Sequence, residues 1–249
     1  MTEKKAGGKM RADQLLVEQG LAESRSRAQA LIMAGAAYAG DRRIDKAGQL
    51  LDALAPLTVK GRDHPWVSRG GVKLAHAIDA LGWDVTGAVA IDVGSSTGGF
   101  TDVLLTKGAA KVYAIDVGTS QLAWKLRQDS RVIVREQVNA RHLTAEHVPE
   151  AADIIVCDAS FIGLAKVLAV PLGFAKPDAR LVALVKPQFE AGPGEVGKGG
   201  VVRDPAVHDR VCAEARNWVE SQGWSVEAMM QSPITGPEGN IEFLLAARR

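Results

Sequence analysis

The sequence has few cysteines, few aromatic residues and no long apolar run. Its two cysteines, Cys157 and Cys212, lie far apart in apolar segments, which predicts buried reduced thiols rather than a disulfide or a metal-binding pair. The five histidines lack the spacing of metal ligands, so we expect no bound metal. No apolar run approaches the ~20 residues of a membrane-spanning helix, and the first residues are too polar for a signal peptide. We therefore expect a cytoplasmic protein that does not enter a membrane.

A strong excess of charge of either sign is also missing. The net charge of +1 gives no overall indication of nucleic acid binding. The charge is uneven along the chain, however. Residues 1–72 carry 12 Lys and Arg against 8 Asp and Glu, whereas residues 73–249 carry 18 against 21. With 249 residues, of which 47% are hydrophobic, this pattern predicts a small basic domain before a larger, mildly acidic one.

The first 60 residues have the pattern of a small helical domain. Residues 1–9 look like a disordered basic tail. Periodic apolar residues predict helices over residues 11–19 and 24–33, and short alternating segments between residues 37 and 59 predict a small hairpin. The residues expected to face inward are Leu15, Leu16, Ala28, Leu31 and Ile32. Residues 61–71 are rich in Gly and short polar residues and predict a linker.

Residues 72–249 alternate between strand and helix patterns, which predicts a parallel sheet covered on both faces. Helices are predicted at residues 72–82, 100–107, 120–128, 160–170 and 204–221, and strands at residues 88–92, 111–116, 132–136, 153–157 and 180–185. Two final strands, at residues 224–231 and 240–247, have only a Pro- and Gly-containing turn between them. We expect them to form a hairpin that adds one antiparallel strand to the sheet.

A glycine-rich turn joins the first of these strands to a helix, which is typical of a cofactor-binding site. Its residues are Asp92, Gly94, Ser95, Ser96, Thr97, Gly98, Gly99 and Phe100. The turn lacks the lysine of a P-loop and the second glycine of a dinucleotide fingerprint. The pattern D-x-G-x-x-x-G-G instead resembles the first motif of S-adenosylmethionine-dependent methyltransferases. That resemblance implies S-adenosylmethionine as the cofactor, although such turns also occur for purely structural reasons.

The second predicted strand ends at Asp116, followed by Val117. A carboxylate at this place can accept both ribose hydroxyls of a nucleoside, or it can simply cap the next helix. Asn139 follows the third strand, where folds of this kind contact adenine, so it could bind the adenine amino group; the alternative is a turn-forming asparagine. We predict that all three residues contact the cofactor.

Four polar residues lie near element ends on the side where such sheets bind ligands: Lys73, Asp158, Lys186 and Glu242. The [DN]-P-P-[YFW] motif of amino-group methyltransferases is missing after the fourth strand. Cys157 lies inside that strand, so it is a poor candidate for a C5-pyrimidine nucleophile. The order K-D-K-E resembles the tetrad of FtsJ-type RNA ribose 2′-O-methyltransferases, which implies that the four residues are catalytic and that Asp158 also lies near the cofactor.

The pattern R-x-D-x-L-L-V-x-x-G-L-A-x-S-R-x-x-A-x-x-L-I-x-x-G, which begins at Arg11, resembles the S4 domain, a module that binds structured RNA. It departs from that family at Ala37, where valine is more frequent. Arg11, Arg25 and Arg27 lie on or beside the two predicted helices and are expected to contact phosphates. The alternative is an ordinary solvated basic face.

Taken together with S-R-G-G-x-K-L, C-D-x-S-F and K-P-Q-F-E, these motifs make the chain similar to the TlyA family over residues 9–249. The resemblance implies a Rossmann-like seven-stranded methyltransferase sheet with an N-terminal α+β S4 domain. It also implies methylation of cytidine ribose 2′-hydroxyls in ribosomal RNA or ribosomal subunits. Arg69 in the first motif, with Lys198 and Arg203 in the glycine-rich loop 191–203, are expected to contact that RNA.

The tetrad makes chemical sense for this reaction, because a ribose hydroxyl is a poor nucleophile until its proton leaves. Lys186 could orient that hydroxyl, or take its proton if burial or a nearby Lys73 lowers its pKa. Asp158 would position Lys186, and Glu242 would anchor Lys186 and the ribose. Three alternatives stay open: a small-molecule methyltransferase, a non-catalytic RNA-binding protein, and a membrane-active haemolysin, a label this family also carries. The oligomeric state stays open as well.

Overall fold

A computed structural model describes residues 8–22, 24–60, 64–192 and 194–249. The chain forms two compact units, Met1–Pro65 and Trp66–Arg249. Residues 1–7 of the predicted tail and residues 61–63 of the predicted linker lie outside the described residues.

The N-terminal unit packs two helices against short antiparallel strands. The helices are α1 (Ala12–Glu18) and α2 (Arg25–Met33), and the strands are β1 (Lys9–Arg11), β2 (Ala37–Ala39), β3 (Arg42–Arg43), β4 (Leu50–Asp52) and β5 (Leu57–Val59). β1 pairs with β4, and β2 lies between β3 and β5. The predicted hairpin is therefore part of a three-stranded sheet. Lys9, expected in the tail, begins a strand.

The helix patterns of this unit are confirmed. Ser24 caps α2 by accepting a hydrogen bond from the backbone N–H of Arg27, as serine at a helix N-terminus commonly does. All five residues expected to face inward are buried: Leu15, Leu16, Ala28, Leu31 and Ile32. They form one apolar core with Ile44 and Leu57 from the strands.

The C-terminal unit contains one seven-stranded sheet. Its strands are β6 (Val89–Val93), β7 (Lys111–Ile115), β8 (Val132–Arg135), β9 (Ala152–Cys157), β10 (Ala175–Val185), β11 (Ser225–Gln231) and β12 (Phe243–Arg248). The spatial order is β11-β12-β10-β9-β6-β7-β8. β12 pairs antiparallel with both neighbours, and the other adjacent pairs are parallel. The predicted sheet with one antiparallel strand is confirmed.

Helices cover both faces of this sheet. They are α3 (Gly70–Leu81), α4 (Gly99–Thr106), α5 (Trp124–Arg127), α6 (Leu164–Leu168), α7 (Pro187–Glu190) and α8 (Pro205–Ser221). Buried side chains of α3, α4 and α5 form one apolar cluster with the sheet, and those of α6 and α8 form the other. Because alternate strand residues face opposite sides, Ala90 belongs to the first cluster and Ile91 to the second.

Two helices are shorter than predicted, because loops at the site hold the preceding residues in other conformations. The carboxylate of Glu136 accepts the backbone N–H groups of Ser120 and Gln121, and α5 begins only at Trp124. Phe161 has a φ of +65°, which a helix does not tolerate. The helix predicted from residue 160 therefore begins at Leu164.

Candidate active site

The glycine-rich turn connects β6 to α4 through a tight loop. Gly94 has a φ of +79°, and a Cβ built there would lie 2.9 Å from the Cα of Ala159. Gly98 has a φ of +96°, and its Cβ would lie 2.3 Å from Leu126 Cδ1. Only glycine fits both positions without displacing a neighbour. The sequence pattern therefore reflects close packing on either side of the turn.

Asp92 lies behind this turn rather than in a cavity. Its side chain is fully buried and accepts a 2.6 Å hydrogen bond from the hydroxyl of Thr101, while its Oδ1 has no hydrogen-bond partner among the described residues. Burial, with a smaller contribution from the nearby charge of Asp158, raises the pKa of Asp92 to about 7. Asp92 and Gly98 line neither of the two cavities at the turn. They support the turn from behind.

Asp116, at the end of β7, closes the smaller cavity, whose volume is about 450 Å³. Its carboxylate accepts the backbone N–H groups of Ser96 at 2.8 Å and Gly118 at 2.7 Å. Each oxygen keeps capacity for a further donor. The predicted cofactor residues that line this cavity are Gly94, Ser96, Asp116, Val117, Asn139 and Asp158. This wall combines apolar surface with a carboxylate at a strand end.

Asn139 has a local partner. Its side-chain oxygen accepts hydrogen bonds from the backbone N–H and the Nε of Arg141, at 3.1 and 3.2 Å. It thereby caps the short 3₁₀ helix Ala140–His142. Asn139 therefore shapes the turn, and because it also lines the smaller cavity, its contact with adenine stays a prediction.

The larger cavity, of about 650 Å³, lies against the other side of the turn. The predicted cofactor residues that line it are Gly94, Ser95, Ser96, Thr97, Gly99, Phe100 and Asp158. Its remaining wall includes Lys73, Lys186 and Glu242. The two cavities share Gly94, Ser96, Asp158 and Ser160, so a ligand in one lies next to a ligand in the other.

The structure brings the four tetrad residues together as a chain of ion pairs. Nζ of Lys73, on α3, lies 2.6 Å from Oε2 of Glu242 and 3.7 Å from Oδ2 of Asp158. Nζ of Lys186, directly after β10, lies 2.7 Å from Oδ1 of Asp158. Glu242 is 1% exposed, and both lysines are buried. Glu242 thus pairs with Lys73 and not with Lys186, which corrects the expected role of Glu242 as an anchor for Lys186.

Two further polar residues, Ser160 and Gln188, support the tetrad. Neither of them was assigned a role from the sequence alone. The hydroxyl of Ser160 accepts a 2.9 Å hydrogen bond from Nζ of Lys186. The side-chain amide of Gln188 donates to Oε1 of Glu242 at 3.2 Å. Ser160 is the serine of the motif C-D-x-S-F, and Gln188 is the glutamine of K-P-Q-F-E. A polar residue close to a tetrad residue within the same motif is the sequence feature that could have identified both.

Phe161 stands at the mouth of the smaller cavity. It is 90% exposed and has a φ of +65°, which is unusual for a bulky side chain and typical of functional loops. Its ring lies 5.1 Å from that of Phe189. An exposed aromatic face of this kind suits stacking on a nucleic acid base.

The remaining predicted RNA contacts lie at exposed positions. Arg69 lines the larger cavity and donates to the backbone oxygen of Thr235 at 2.9 Å. Lys198 and Arg203 are exposed. In the loop that carries them, the backbone N–H of Gly197 donates a hydrogen bond to the backbone oxygen of Val201. In the N-terminal unit, Arg11, Arg25 and Arg27 are part-exposed or exposed.

Both cysteines are free thiols, as expected, but Cys157 is buried whereas Cys212 is only half-buried. Burial raises the pKa of Cys157 to about 12 and that of Cys212 to about 11. A thiol of this kind is a poor nucleophile. Among the described residues, no group of three or more His, Cys, Asp or Glu is placed to hold a metal ion. No helix in the described ranges is both long and apolar enough to span a bilayer.

The fold and the site together define the class of protein. Three features are those of S-adenosylmethionine-dependent methyltransferases: the order of the strands, the glycine-rich turn after β6 and the carboxylate at the end of β7. A candidate S-adenosylmethionine-dependent methyltransferase from Listeria monocytogenes shares the fold, with a TM-score of 0.54 at 16% identity over 73% of this chain and 99% of the other. The residues fit the cofactor, because Asp116 can accept ribose hydroxyls and the smaller cavity offers apolar walls for a base.

Residues 66–249 match the FtsJ-like methyltransferase family, and residues 10–53 match the S4 domain. The chain therefore belongs to the FtsJ-like methyltransferases and, within them, to the TlyA proteins that join this domain to an S4 domain.

Several relatives are similar over nearly the whole chain. The 16S/23S rRNA (cytidine-2′-O)-methyltransferase TlyA of Mycobacterium tuberculosis is 46% identical, covering 96% of this chain and 89% of the relative. Hemolysin A of Brachyspira hyodysenteriae is 39% identical, covering 94% and 98%. The solved structure of a candidate hemolysin from Streptococcus thermophilus is 41% identical, with a TM-score of 0.74, and covers 98% of this chain and 90% of that one.

Proposed function

We propose that this protein transfers a methyl group to the ribose 2′-hydroxyl of a cytidine in ribosomal RNA. The observation that carries the proposal is the ion-pair chain of Glu242, Lys73, Asp158 and Lys186 at the boundary of two cavities, in which the glutamate and both lysines are buried. The M. tuberculosis relative is named for this reaction on 16S and 23S rRNA. Because ribosomes are then the substrate, we place the protein in the cytoplasm.

The smaller cavity is the proposed cofactor site. Asp116 accepts the ribose hydroxyls of the nucleoside, and Gly94 and Ser96 bring backbone close to the ligand. Bound S-adenosylmethionine supplies an electrophilic methyl carbon on a sulfonium. Asp158 lines both cavities, so its carboxylate would stabilise this positive charge.

The larger cavity is the proposed site of the target ribose. Lys186 orients the 2′-hydroxyl and handles its proton, while Asp158 and Ser160 fix the position of the Lys186 amine. With S-adenosylmethionine held by Asp116, Gly94 and Ser96, the cofactor would supply its methyl group to the hydroxyl oxygen and would leave as S-adenosylhomocysteine, while Nζ of Lys186, as the free amine, would take the hydroxyl proton. Lys73 and Glu242 hold Asp158 from the other side. Most of the rate acceleration then comes from positioning.

The N-terminal unit is proposed to supply affinity for RNA. It matches the S4 domain and carries Arg11, Arg25 and Arg27, whose guanidinium groups suit phosphate oxygens. Arg69, Lys198 and Arg203 are proposed to contact RNA from the C-terminal unit. This assignment disfavours a small-molecule substrate, since a small acceptor needs no RNA-binding module.

The decisive experiment measures methyl transfer to purified 30S and 50S ribosomal subunits with methyl-labelled S-adenosylmethionine, followed by mapping of 2′-O-methylated nucleotides. We expect label on cytidine riboses, and none with a Lys186→Ala variant that still binds the cofactor. Label on bases, or on small molecules from a cell extract but never on ribosomal RNA, would contradict the proposal. Binding of cofactor without transfer to any RNA would favour the non-catalytic alternative.

A further inference from the structure

The N-terminal unit contains a buried carboxylate that the cofactor and ribose sites do not use. Asp13, in the first turn of α1, is 0% exposed and accepts five hydrogen bonds. The donors are Arg11 through Nε and Nη2, Arg25 through Nη2, the side-chain amide of Gln29 and the backbone N–H of Gln14, all at 3.0 or 3.1 Å. A buried charge is tolerated when its lone pairs are satisfied in this way.

The two arginines that bind Asp13 are not themselves buried. Their side chains are 42% exposed for Arg11 and 55% exposed for Arg25. The guanidinium of Arg11 lies close to the backbone at Gly48, where an added Cβ would come within 3.2 Å of its Nη1. Asp13 therefore holds one edge of the Arg11 guanidinium and one nitrogen of the Arg25 guanidinium, while both side chains stay partly exposed.

Ordering two arginines in advance matters for binding, because each free arginine has much rotamer freedom to lose. Among the described residues, no acceptor takes a hydrogen bond from Nη1 of Arg11 or from Nε and Nη1 of Arg25. These N–H groups stay available to the planar, bidentate geometry of a phosphate. Hydrogen bonds from Arg11 hold the pKa of Asp13 well below its usual range, so the carboxylate stays charged at every physiological pH.

We propose that Asp13 is a positioning residue that sets Arg11 and Arg25 as a two-guanidinium clamp for the RNA backbone. This inference rests on the RNA-docking role proposed above and deepens it. It makes an unusual prediction: removing a negative charge from a basic RNA-binding surface weakens RNA binding.

The test is the Asp13→Asn variant of the full chain, with affinity for purified ribosomal subunits measured over a series of salt concentrations. We expect affinity to fall about tenfold, as for broken charge-assisted hydrogen bonds. The slope of log affinity against log salt should fall by about one for each phosphate that the variant no longer neutralises. The matched control is Asp45→Asn, which removes the same charge beside Arg43 at an exposed pair and should leave affinity unchanged or slightly higher.

A mutant cycle distinguishes the positioning role of Asp13 from a purely structural role. In a background of Arg11→Ala with Arg25→Ala, adding Asp13→Asn should change RNA affinity little, because its targets are gone. A further large loss there would show that Asp13 acts through the stability of the unit and would overturn the positioning role.

A second substitution keeps the inference testable if Asp13→Asn does not fold. Arg11→Lys combined with Arg25→Lys retains both charges but not the planar forks, so affinity should also fall about tenfold. Unchanged affinity would overturn the clamp. If the parent itself fails to bind ribosomal subunits, the proposed function fails; if the parent binds and Asp13→Asn binds equally well, only the positioning role fails.

Discussion

Replacing Lys186 with arginine is expected to preserve binding of both ligands and to remove most methyl transfer. The substitution keeps a positive charge beside Asp158. It removes the compact amine, however, and with it the ability to deprotonate, since a guanidinium stays charged and has no lone pair to offer. The variant therefore separates the charge of Lys186 from its proton chemistry.

The size of the effect follows from the surroundings of the Lys186 amine. A charged amine has three N–H bonds, and Nζ donates hydrogen bonds to Ser160 Oγ at 2.9 Å and to the Asp158 backbone oxygen at 3.3 Å. Asp158 Oδ1 lies 2.7 Å from Nζ as an ion-pair partner. A ribose hydroxyl reaches Nζ by replacing the longest of these bonds, or by meeting the lone pair of the neutral amine. An arginine in this buried place permits neither geometry. Loss of one acid–base group costs about 10²–10⁴ in rate.

The assay is single-turnover methyl transfer to ribosomal subunits, with cofactor and RNA affinities measured in parallel. Lys176→Arg is the matched control, because Lys176 lies at the opposite end of the same strand and pairs with Asp153. The control should transfer at the parental rate. A Lys186→Arg enzyme within a few-fold of the parent would refute the reasoning and move proton handling to another group. A matching loss of cofactor affinity would make Lys186 a structural residue.

Three other substitutions test the rest of the site. Asp116→Ala should weaken S-adenosylmethionine binding about tenfold or more in calorimetry, because its hydrogen bonds to the ribose are removed; unchanged affinity would mean that the ribose is held elsewhere. Asp92→Asn should flatten the pH dependence of thermal stability. In the parent, the pKa of Asp92 is raised to about 7. The stability that its protonated carboxyl contributes is therefore complete below about pH 4 and is lost as the pH rises through 7. Plots of melting temperature against pH that run parallel for parent and variant between pH 5 and 8 would contradict this. Ser160→Ala should lower the transfer rate several-fold with cofactor affinity intact, because Lys186 keeps its ion pair with Asp158 but loses the shorter of its two hydrogen bonds; an unchanged rate would remove Ser160 from the positioning of Lys186.

Local patterns were sufficient for most of the fold. Apolar periodicity along α1, α2 and the sheet strands reflects which residues are buried, and neighbours along the chain carry that information. The exceptions are informative. The helix expected from residue 160 is delayed because the loop that follows Asp158 holds Ser160 against Lys186. A functional loop here overrides a helix pattern, as expected where local preference and site geometry conflict.

The sequence by itself determined the types of residue at the site and the strand ends that carry them. It identified the glycine-rich turn, the acid that ends the second strand of the sheet and the Lys–Asp–Lys–Glu set. The turn and the acid depend on short-range spacing, whereas the Lys–Asp–Lys–Glu set was recognised from residues near element ends together with the family resemblance. Parallel strands necessarily bring their carboxyl ends to one edge.

Only the tertiary structure decided which of these side chains pair. Glu242 bonds to Lys73, 169 residues away in the chain, while Asp92 lies buried behind the turn. Asp13 likewise gathers Arg11 and Arg25 around one carboxylate. Which side chains form ion pairs depends on distances of a few ångströms between side chains from distant elements. It also depends on burial, which changes the free-energy cost of each charge. Neither quantity is written in the spacing of residues along a chain.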